Sequence, residues 1–293
     1  MSTRWKPAVR GHDEADVDVS VGRSAGAAEA AIAWADAEGW NPGLDDAQRF
    51  LAADPHSFLA AERDGEIVGT VSCALYGDDY AFIGFYIVRP DFRGRGIGSD
   101  LFGHALRRAN GRVVGLDGVL EQQSSYERRG FLLAHRNVRW RTEGGGDRPS
   151  ELVELSSLPF EQVAEFDTGV FGAPRERFLR EWIDRPRGHA LGCLAGERLA
   201  GYGVVRRCHS GAKVGPLFAD EEQAAELLLA GLLAAAGRGT EVFIDMPAAN
   251  PETARLRATR DMDPSFETVR MYLNGRPPED MRKVFGVTTF EFG

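Results

Sequence analysis

A glycine-rich segment flanked by arginines is the part of this sequence whose residue types point most directly to chemistry. It reads Arg93-Gly94-Arg95-Gly96-Ile97-Gly98, follows an apolar run that ends at Val88, and precedes a helical pattern from about Gly98 to Asn110. Glycines let backbone N–H groups converge without a Cβ in the way. The first turn of a helix adds free N–H groups and the positive end of the helix dipole. With two arginines for charge-assisted contacts, the segment predicts a pyrophosphate-binding loop.

The charge around this loop opposes the charge of the whole chain. Residues 86–112 contain six arginines and two acids, a local balance of +4, whereas 35 Lys+Arg against 44 Asp+Glu give the chain a net charge of −9. A solvated helix face would explain the cluster as well as an anion site would. The overall acidity argues against nucleic acid as a partner.

Two familiar phosphate loops fit this segment poorly. A Walker loop is excluded because no Gly-Lys-Ser/Thr is present. A dinucleotide fingerprint would use Asp117, about 20 residues on, as the ribose-binding acid. The glycine spacing is GxGxG rather than GxGxxG, and the preceding strand ends a series of hairpins rather than opening a βαβ unit. The dinucleotide reading is therefore disfavoured.

A second motif lies downstream, at Tyr126-Glu-Arg-Arg-Gly-Phe131. Arg93, Gly96 and Gly98 fit the pattern Arg-x-x-Gly-x-Gly, which resembles the acyl-CoA signature of the GNAT superfamily of N-acyltransferases. The second motif resembles the Tyr-x-x-x-Gly-Phe that ends the last short helix of that family. The resemblance covers residues 17–141 and implies transfer of an acetyl group from acetyl-CoA to an amine, by direct attack in a ternary complex.

The resemblance also implies roles for individual residues. The pyrophosphate would bind the loop, the pantetheine would pair with a strand edge, and a backbone N–H near Ile87 would polarise the thioester carbonyl. Tyr126 would protonate the departing thiolate, although a packed aromatic with a hydrogen-bonded hydroxyl would explain this residue too. The implied acetyl-CoA-binding residues are Tyr86, Ile87, Val88, Arg93, Gly94, Arg95, Gly96, Ile97, Gly98 and Ser99.

The sequence does not identify a general base. Many family members carry a glutamate on the strand before the signature, but residues 81–85 contain no acid here. Asp78, Asp79 and Asp117 are nearby, and each is more typical of a turn or a helix cap. A water relay is the remaining possibility, so the base stays open.

The acceptor pocket is predicted from the loop between the first two helices. Trp34 and Trp40 could form an apolar or cation-binding wall with Asn41 beside them. A core tryptophan and an ordinary turn would explain the same residues equally well. The six histidines show no metal-ligand spacing, so no metal is expected.

The elements that must position these residues alternate between strands and helices, and the order repeats. Residues 63–71 resemble 194–204, and each is followed by a strand, a helix, a short strand, a short helix and a final strand. The loop 142–150, with three glycines and a proline, separates the copies. We therefore predict an α/β fold of two tandem GNAT domains, each a mostly antiparallel central sheet flanked by helices: 1–141 catalytic, 142–150 linker and 151–293 degenerate. A further strand is predicted over Val284–Phe292.

The second copy lacks the first copy's binding chemistry. Asp220 is predicted to cap its helix with Gln223, and Glu221 and Glu222 fill the first turn, where they would repel a pyrophosphate. Arg257 stands where the first copy has Tyr126. The second copy is therefore expected to be structural or to shape the pocket of the first.

Composition limits the class of protein. The chain has 293 residues, 43% of them hydrophobic, with no apolar run of the length that crosses a membrane and three cysteines without CxxC spacing. We expect a cytoplasmic enzyme that acetylates a primary amine of a small molecule, with neither nucleic acid nor membrane as a partner. The alternative is an acyl-CoA-binding sensor or pseudoenzyme. The sequence does not indicate the oligomeric state.

Overall fold

The computed structural model describes residues 19–24 and 26–293. The predicted strand Val17–Val21 is found as Ser20–Gly22, and Val17 and Asp18 lie outside the described residues. The strands of the first half are β1 Ser20–Gly22, β2 Phe58–Arg63, β3 Glu66–Tyr76, β4 Tyr80–Val88, β5 Val113–Val119 and β6 Leu132–Glu143. Its helices are α1 Ala27–Ala37, α2 Asp46–Ala53, α3 Ile97–Ala109 and α4 Gln123–Glu127.

The second half repeats this order. Its strands are β7 Leu152–Glu154, β8 Gly188–Ala195, β9 Arg198–Arg207, β10 Ala212–Ala219, β11 Glu241–Pro247, β12 Asp263–Leu273 and β13 Val284–Gly286. Its helices are α5 Phe160–Phe171, α6 Glu176–Ile183, α7 Glu222–Ala236 and α8 Thr253–Ala258. The predicted α/β class and the repeated order of elements are confirmed.

The strands of both halves join in one sheet, which the sequence did not predict. Among the described residues its order is β1-β2-β3-β4-β5-β12-β6-β11-β10-β9-β8-β7, with β13 added beside β10. The pairs β4–β5 and β10–β11 are parallel and the others are antiparallel. The halves exchange their last long strands, since β12 pairs with β5 and β6 pairs with β11. Each half therefore contributes its last long strand to the part of the sheet formed by the other half.

Helix α3 illustrates how local sequence positions the glycine loop. Leu101, Phe102, Ala105 and Ala109 form its buried face against the sheet. The helix ends at Ala109, its C-cap Asn110 adopts the left-handed conformation, and the predicted stop residue Gly111 follows with φ +80°. Burial of this apolar face fixes the N-terminus of α3 at the end of β4.

The last residues of the chain depart from prediction. Only Val284–Gly286 of the predicted strand Val284–Phe292 is a strand, so the prediction is wrong beyond Gly286. Hydrogen bonds from Glu291 N–H to Thr289 Oγ1 and from Gly293 N–H to the Thr289 carbonyl form a turn instead. Residues 287–293 are buried between the two halves, so packing rather than strand pairing accounts for their apolar and β-branched residues. We call residues 284–293 the C-terminal segment.

The C-terminal segment passes over β4 at Gly84. A Cβ at this position would collide with the backbone carbonyl of Glu291. We expect Gly84→Ala to lower the free energy of unfolding by about 1–3 kcal/mol, the usual cost of overpacking a core. Denaturant titration measures the change. In the control Gly169→Ala, on an exposed face of α5 where a Cβ meets nothing within 4 Å, we expect unchanged or slightly raised stability. Equal stability of the two variants would contradict this packing.

Candidate active site

Strands β4 and β5 separate part-way along their length. Their parallel pairing joins Tyr80–Ile83 to Val113–Leu116 and stops there. Phe85 follows with φ +46°, an unusual conformation for an aromatic residue in a strand, and the β3–β4 register shifts at this point. The remainder of β4 therefore diverges from β5 and leaves its backbone edge from Gly84 to Val88 facing a cleft.

A cavity of about 430 Å³ fills this cleft. The divergent strands form two of its walls, and the phosphate-loop candidate, the short helix α4 and residues from the second half close it. Its lining includes Glu38, Trp40, Tyr86, Ile87, Val88, Arg93, Gly94, Gly98, Asp117, Gly118, Tyr126, Phe266, Thr268, Phe290 and Glu291. The first half thus provides the entrance, and both halves provide the inner end.

The glycine loop presents an uncapped helix N-terminus to this cavity. Gly94 and Gly96 have φ of +78° and +80°, and Gly96 is the N-cap of α3 without a side-chain capping bond. Arg93 steadies the loop by donating from Nε to the Val88 carbonyl at 2.9 Å. The N–H groups of the first turn are therefore available to an anion.

Two further side chains hold the loop in place. A Cβ at Gly98 would collide with the hydroxyl of Tyr86, so only glycine lets this tyrosine lie over the start of α3. Arg129 donates to Ser99 Oγ at 3.0 Å and lies 5.2 Å from the ring centroid of Phe102. Arg129 was missed from sequence although it belongs to the second motif. Its guanidinium places a further positive charge beside the N-terminus of α3.

The predicted acetyl-CoA residues divide into two groups by position. Tyr86, Ile87, Val88, Arg93, Gly94 and Gly98 line the cavity. The other four are Arg95, Gly96, Ile97 and Ser99, in the same loop and the first turn of α3. Among the described residues, these four are not part of the cavity lining. Arg95 packs 5.3 Å from the ring centroid of Phe92. All ten assignments remain predictions.

Tyr126 lies where the second motif predicts, at the wall opposite β4. Its ring packs against Phe102 and Phe131 and is 8% exposed. Gly118 of β5 makes room for it, because a side chain there would collide with the ring. Burial raises the pKa of the Tyr126 phenol well above its ordinary value, so it stays protonated at neutral pH.

Asp117 is held by an ion pair that sequence reasoning could not find. Arg270 of β12 donates to both carboxylate oxygens, at 2.8 and 2.6 Å, and Asn137 Nδ2 donates at 2.8 Å. Burial nevertheless raises the pKa of Asp117, against the lowering effect of Arg270. Asp78 and Asp79 lie in the exposed turn before β4 and are not among the lining residues. Asp117 therefore joins β5 to the exchanged strand β12.

The three predicted acceptor-pocket residues lie in different places. Trp40 lines the cavity, and its carbonyl accepts hydrogen bonds from Arg139 at 2.8 Å and Lys213 at 3.1 Å. Asn41 instead pairs its side-chain amide with the backbone of Ser210. Trp34 packs against the core. The cavity lining in the described part of the chain includes neither Asn41 nor Trp34.

The corresponding cleft of the second half is filled by the chain itself. β10 and β11 pair in parallel over Ala212–Val214 and Val242–Ile244, and then β13 pairs with β10. Val287 N–H donates to the Asp245 carbonyl of β11 at 2.8 Å. A Cβ at Gly215 would collide with the Thr288 carbonyl, so this backbone contact is close. The C-terminal segment thus occupies the space that is open in the first half.

The start of α7 carries acidic side chains where α3 has its glycine loop. Glu222 stands in the first turn, and the N-cap is Glu221 without a side-chain capping bond. The predicted capping role of Asp220 is wrong, because its carboxylate pairs with Arg198 and, at 3.1 Å, with Lys283.

We therefore expect one CoA to bind per chain. The second cleft is occupied by β13, and no glycine loop like residues 93–98 precedes α7. Calorimetric titration of the whole chain with CoA should give a stoichiometry near one. Binding of two equivalents would show that the C-terminal segment can leave the second cleft.

Neither a metal cluster nor a membrane-spanning helix was found in the described residues. Residues 19–24 and 26–293 contain no group of three or more His, Cys, Asp or Glu side chains placed to hold a metal. None of the helices between residues 26 and 293 combines the length and the apolar character that a bilayer crossing needs.

Comparison with known proteins agrees with this architecture. Residues 27–131 match the Acetyltransferase (GNAT) family, and residues 163–286 match an Acetyltransferase (GNAT) domain. The holothin acyltransferase of Pseudoalteromonas sp. (strain SANK 73390) is 31% identical over 262 residues, which cover 89% of each chain. The chain therefore belongs to the GNAT family of acyltransferases, with two GNAT domains in tandem.

Solved structures show the same fold. A putative acetyltransferase from Pyrococcus horikoshii superimposes with a TM-score of 0.80 at 24% identity and covers 97% of this chain and 99% of its own. A tandem GNAT protein from the clavulanic acid biosynthesis pathway gives a TM-score of 0.60 at 18% identity and covers 88% of this chain and 99% of its own. These likenesses extend over the whole tandem arrangement.

Proposed function

We propose that this acyltransferase transfers an acetyl group from acetyl-CoA to a primary amine of a small molecule, in a ternary complex. One observation carries the proposal: an uncapped helix N-terminus, an unpaired strand edge and a buried tyrosine meet at one cavity. These are the three features that a pyrophosphate, an amide-containing arm and a thioester require.

The residues present suit acetyl-CoA. The amides of 93–98 would receive the pyrophosphate, with Arg93, Arg95 and Arg129 nearby. The pantetheine amides would pair with the free edge of Tyr86–Val88 as an added strand does. The N–H of Ile87 would then polarise the thioester carbonyl.

Tyr126 would act as the general acid. Its raised pKa keeps the proton on the phenol until a thiolate forms beside it. A thiol has an ordinary pKa of about 8.5, below that of the phenol, so proton transfer to the leaving sulfur is completed only when Tyr126 regains a proton from the attacking nitrogen. The free CoA thiol would then leave through the cleft between β4 and β5.

The inner end of the cavity supports a small-molecule acceptor. Trp40, Phe266 and Phe290 enclose it with aromatic surface from both halves. Such a site suits a compact ligand with an apolar body and a few polar groups. The relative that covers most of this chain is named for acylating holothin, which favours the same kind of acceptor here.

The proposal assigns different roles to the two halves. Residues 1–141 would form the catalytic domain, 142–150 the linker and 151–293 a partner domain that does not bind CoA. The partner domain supplies β12 and the C-terminal segment to the catalytic cavity. We place the reaction in the cytoplasm, because its co-substrate is acyl-CoA.

Turnover separates this proposal from an acyl-CoA sensor. The whole chain is mixed with acetyl-CoA and a panel of primary amines that includes holothin, and release of the free CoA thiol is followed. Amine-dependent release supports the enzyme. Tight CoA binding without release for any amine would support the sensor and overturn the proposed transfer.

A further inference from the structure

The C-terminal segment brings a carboxylate to the cavity that no local motif indicates. Glu291 lies two residues from the end of the chain and lines the cavity together with Tyr126. Its position is fixed on both sides. Tyr76 donates from its hydroxyl to the Phe292 carbonyl at 2.7 Å, and the Phe292 ring stacks on Phe50 at 3.8 Å between centroids. The backbone of Glu291 rests on Gly84.

One oxygen of this carboxylate lacks a partner. Glu291 is 3% exposed, and its Oε2 accepts a short hydrogen bond from Thr289 Oγ1. Its Oε1 is buried and receives no hydrogen bond from the described residues. A buried carboxylate oxygen without a donor is costly, so this atom is suited to a donor that arrives with a ligand.

The other acids that line the cavity are already engaged. Asp117 is bound by Arg270 and Asn137, and Glu38 pairs with Arg93 near solvent at the entrance. Of the three acids found in the cavity lining of the described chain, Glu291 alone combines burial with an unpaired oxygen.

Other charged groups act on Glu291 from several elements. They are Asp117 on β5, Arg139 on β6, Arg206 on β9 and Lys213 on β10. Arg139 is bound to both oxygens of Asp245, at 2.7 and 2.9 Å. Three of these four groups are cations, and Asp117 is the one further carboxylate among them.

Resting on the proposed function, we propose that Glu291 is the base that deprotonates the acceptor amine. Its Oε1 takes a proton from the bound ammonium group, and the freed nitrogen lone pair attacks the thioester carbonyl. The N–C bond forms and the C–S bond breaks, and the thiolate takes the Tyr126 proton. The nitrogen's second departing proton restores Tyr126, and Glu291 releases its proton to solvent. The net products are one amide, one CoA thiol and one proton.

Thr268 completes the acceptor end in this account. Its Oγ1 is buried and unpartnered among the described residues, and Thr268 lines the cavity on β12. The carboxylate oxygen of Glu291 can only accept a hydrogen bond, whereas the Thr268 hydroxyl can donate or accept, so an acceptor with an N–H group and one further polar group would satisfy both.

Kinetics of Glu291→Gln test this assignment. With an alkylamine, we expect kcat/KM at pH 7 to fall about 100-fold, a typical loss for a general base. The rate of the variant should rise tenfold per pH unit as the free amine deprotonates by itself. With an arylamine acceptor that is already neutral at pH 7, the two proteins should differ by less than about fivefold. The control Glu267→Gln, which removes an exposed partner of Arg136, should behave as wild type.

The possible results separate three outcomes. An alkylamine defect that exceeds the arylamine defect, with CoA affinity unchanged, supports the base. Equal defects for both amines, or wild-type rates and pH profile, overturn it. If Glu291→Gln unfolds, Glu291→Asp is compared on the same two amines, and a larger alkylamine defect is again required. A wild-type chain that acetylates neither amine would instead contradict the proposed function.

Discussion

Gly96→Asp is expected to weaken CoA binding by about 100-fold. The substitution places a carboxylate at the N-cap of α3, where it accepts the N–H bonds that the pyrophosphate would otherwise receive. Each new pair of like charges adds at least about 1 kcal/mol at 4 Å, and more where water is displaced. Two such pairs and the lost N–H bonds therefore cost about 3 kcal/mol, or about 100-fold in affinity. Calorimetry with CoA measures the loss.

A matched control lies on the same helix. Gly103→Asp adds the same charge further along α3, where a Cβ meets Arg107 Nη1 at 3.5 Å. We expect this variant to bind CoA within about threefold of wild type, since the pair at i and i+4 is local. If both variants bind CoA as wild type does, the pyrophosphate does not lie on residues 93–98.

Tyr126→Phe is expected to lower kcat by about 10²–10⁴-fold. The variant keeps the ring that packs against Phe102 and Phe131, and it loses only the hydroxyl. CoA affinity and thermal stability should therefore stay close to wild type. Stopped-flow measurement of the transfer step separates chemistry from product release.

The pH dependence gives a second test of this residue. Because the pKa of Tyr126 is raised, the phenol remains a proton donor throughout the range in which the amine is activated. If ionisation of Tyr126 reduces the activity of the wild type, this loss should appear only at a pH above about 10, the ordinary pKa of a tyrosine. An unchanged transfer rate in Tyr126→Phe would remove the residue from the mechanism.

Local sequence was sufficient to predict the glycine loop and the helix that follows it. The glycines at 94, 96 and 98, the proline turn before them and the apolar face of α3 lie within one short stretch. Their conformations follow from backbone freedom and helix periodicity. Tyr126 could be predicted for the same reason, since its position depends on α4 and on the neighbouring strand β5.

The inner end of the cavity, which we propose binds the acceptor, could not be predicted because its residues meet through the exchange of strands. Arg270 reaches Asp117 across 153 positions of sequence, and only the pairing of β12 with β5 brings them together. Two repeated halves carry similar strand patterns, so periodicity alone does not determine which copy a last strand joins.

Glu291 could not be predicted as a cavity residue for a related reason. The sequence predicts a strand over Val284–Phe292 and assigns no residue of it to the site. Packing of Phe292 against the aromatic core and the turn at Thr289 instead direct the segment into the first half. The pairing of β13 with β10 sets where that turn falls, and no local pattern encodes it.

A structure of the chain with CoA and a bound primary amine is the most direct test of the central claim. The account predicts one CoA, its pyrophosphate on the amides of 93–98 and its sulfur within hydrogen-bonding distance of Tyr126 Oη. The amine nitrogen should lie on the Glu291 side of that sulfur. A CoA bound at the start of α7, or a sulfur out of reach of both Tyr126 and the amine, would contradict it.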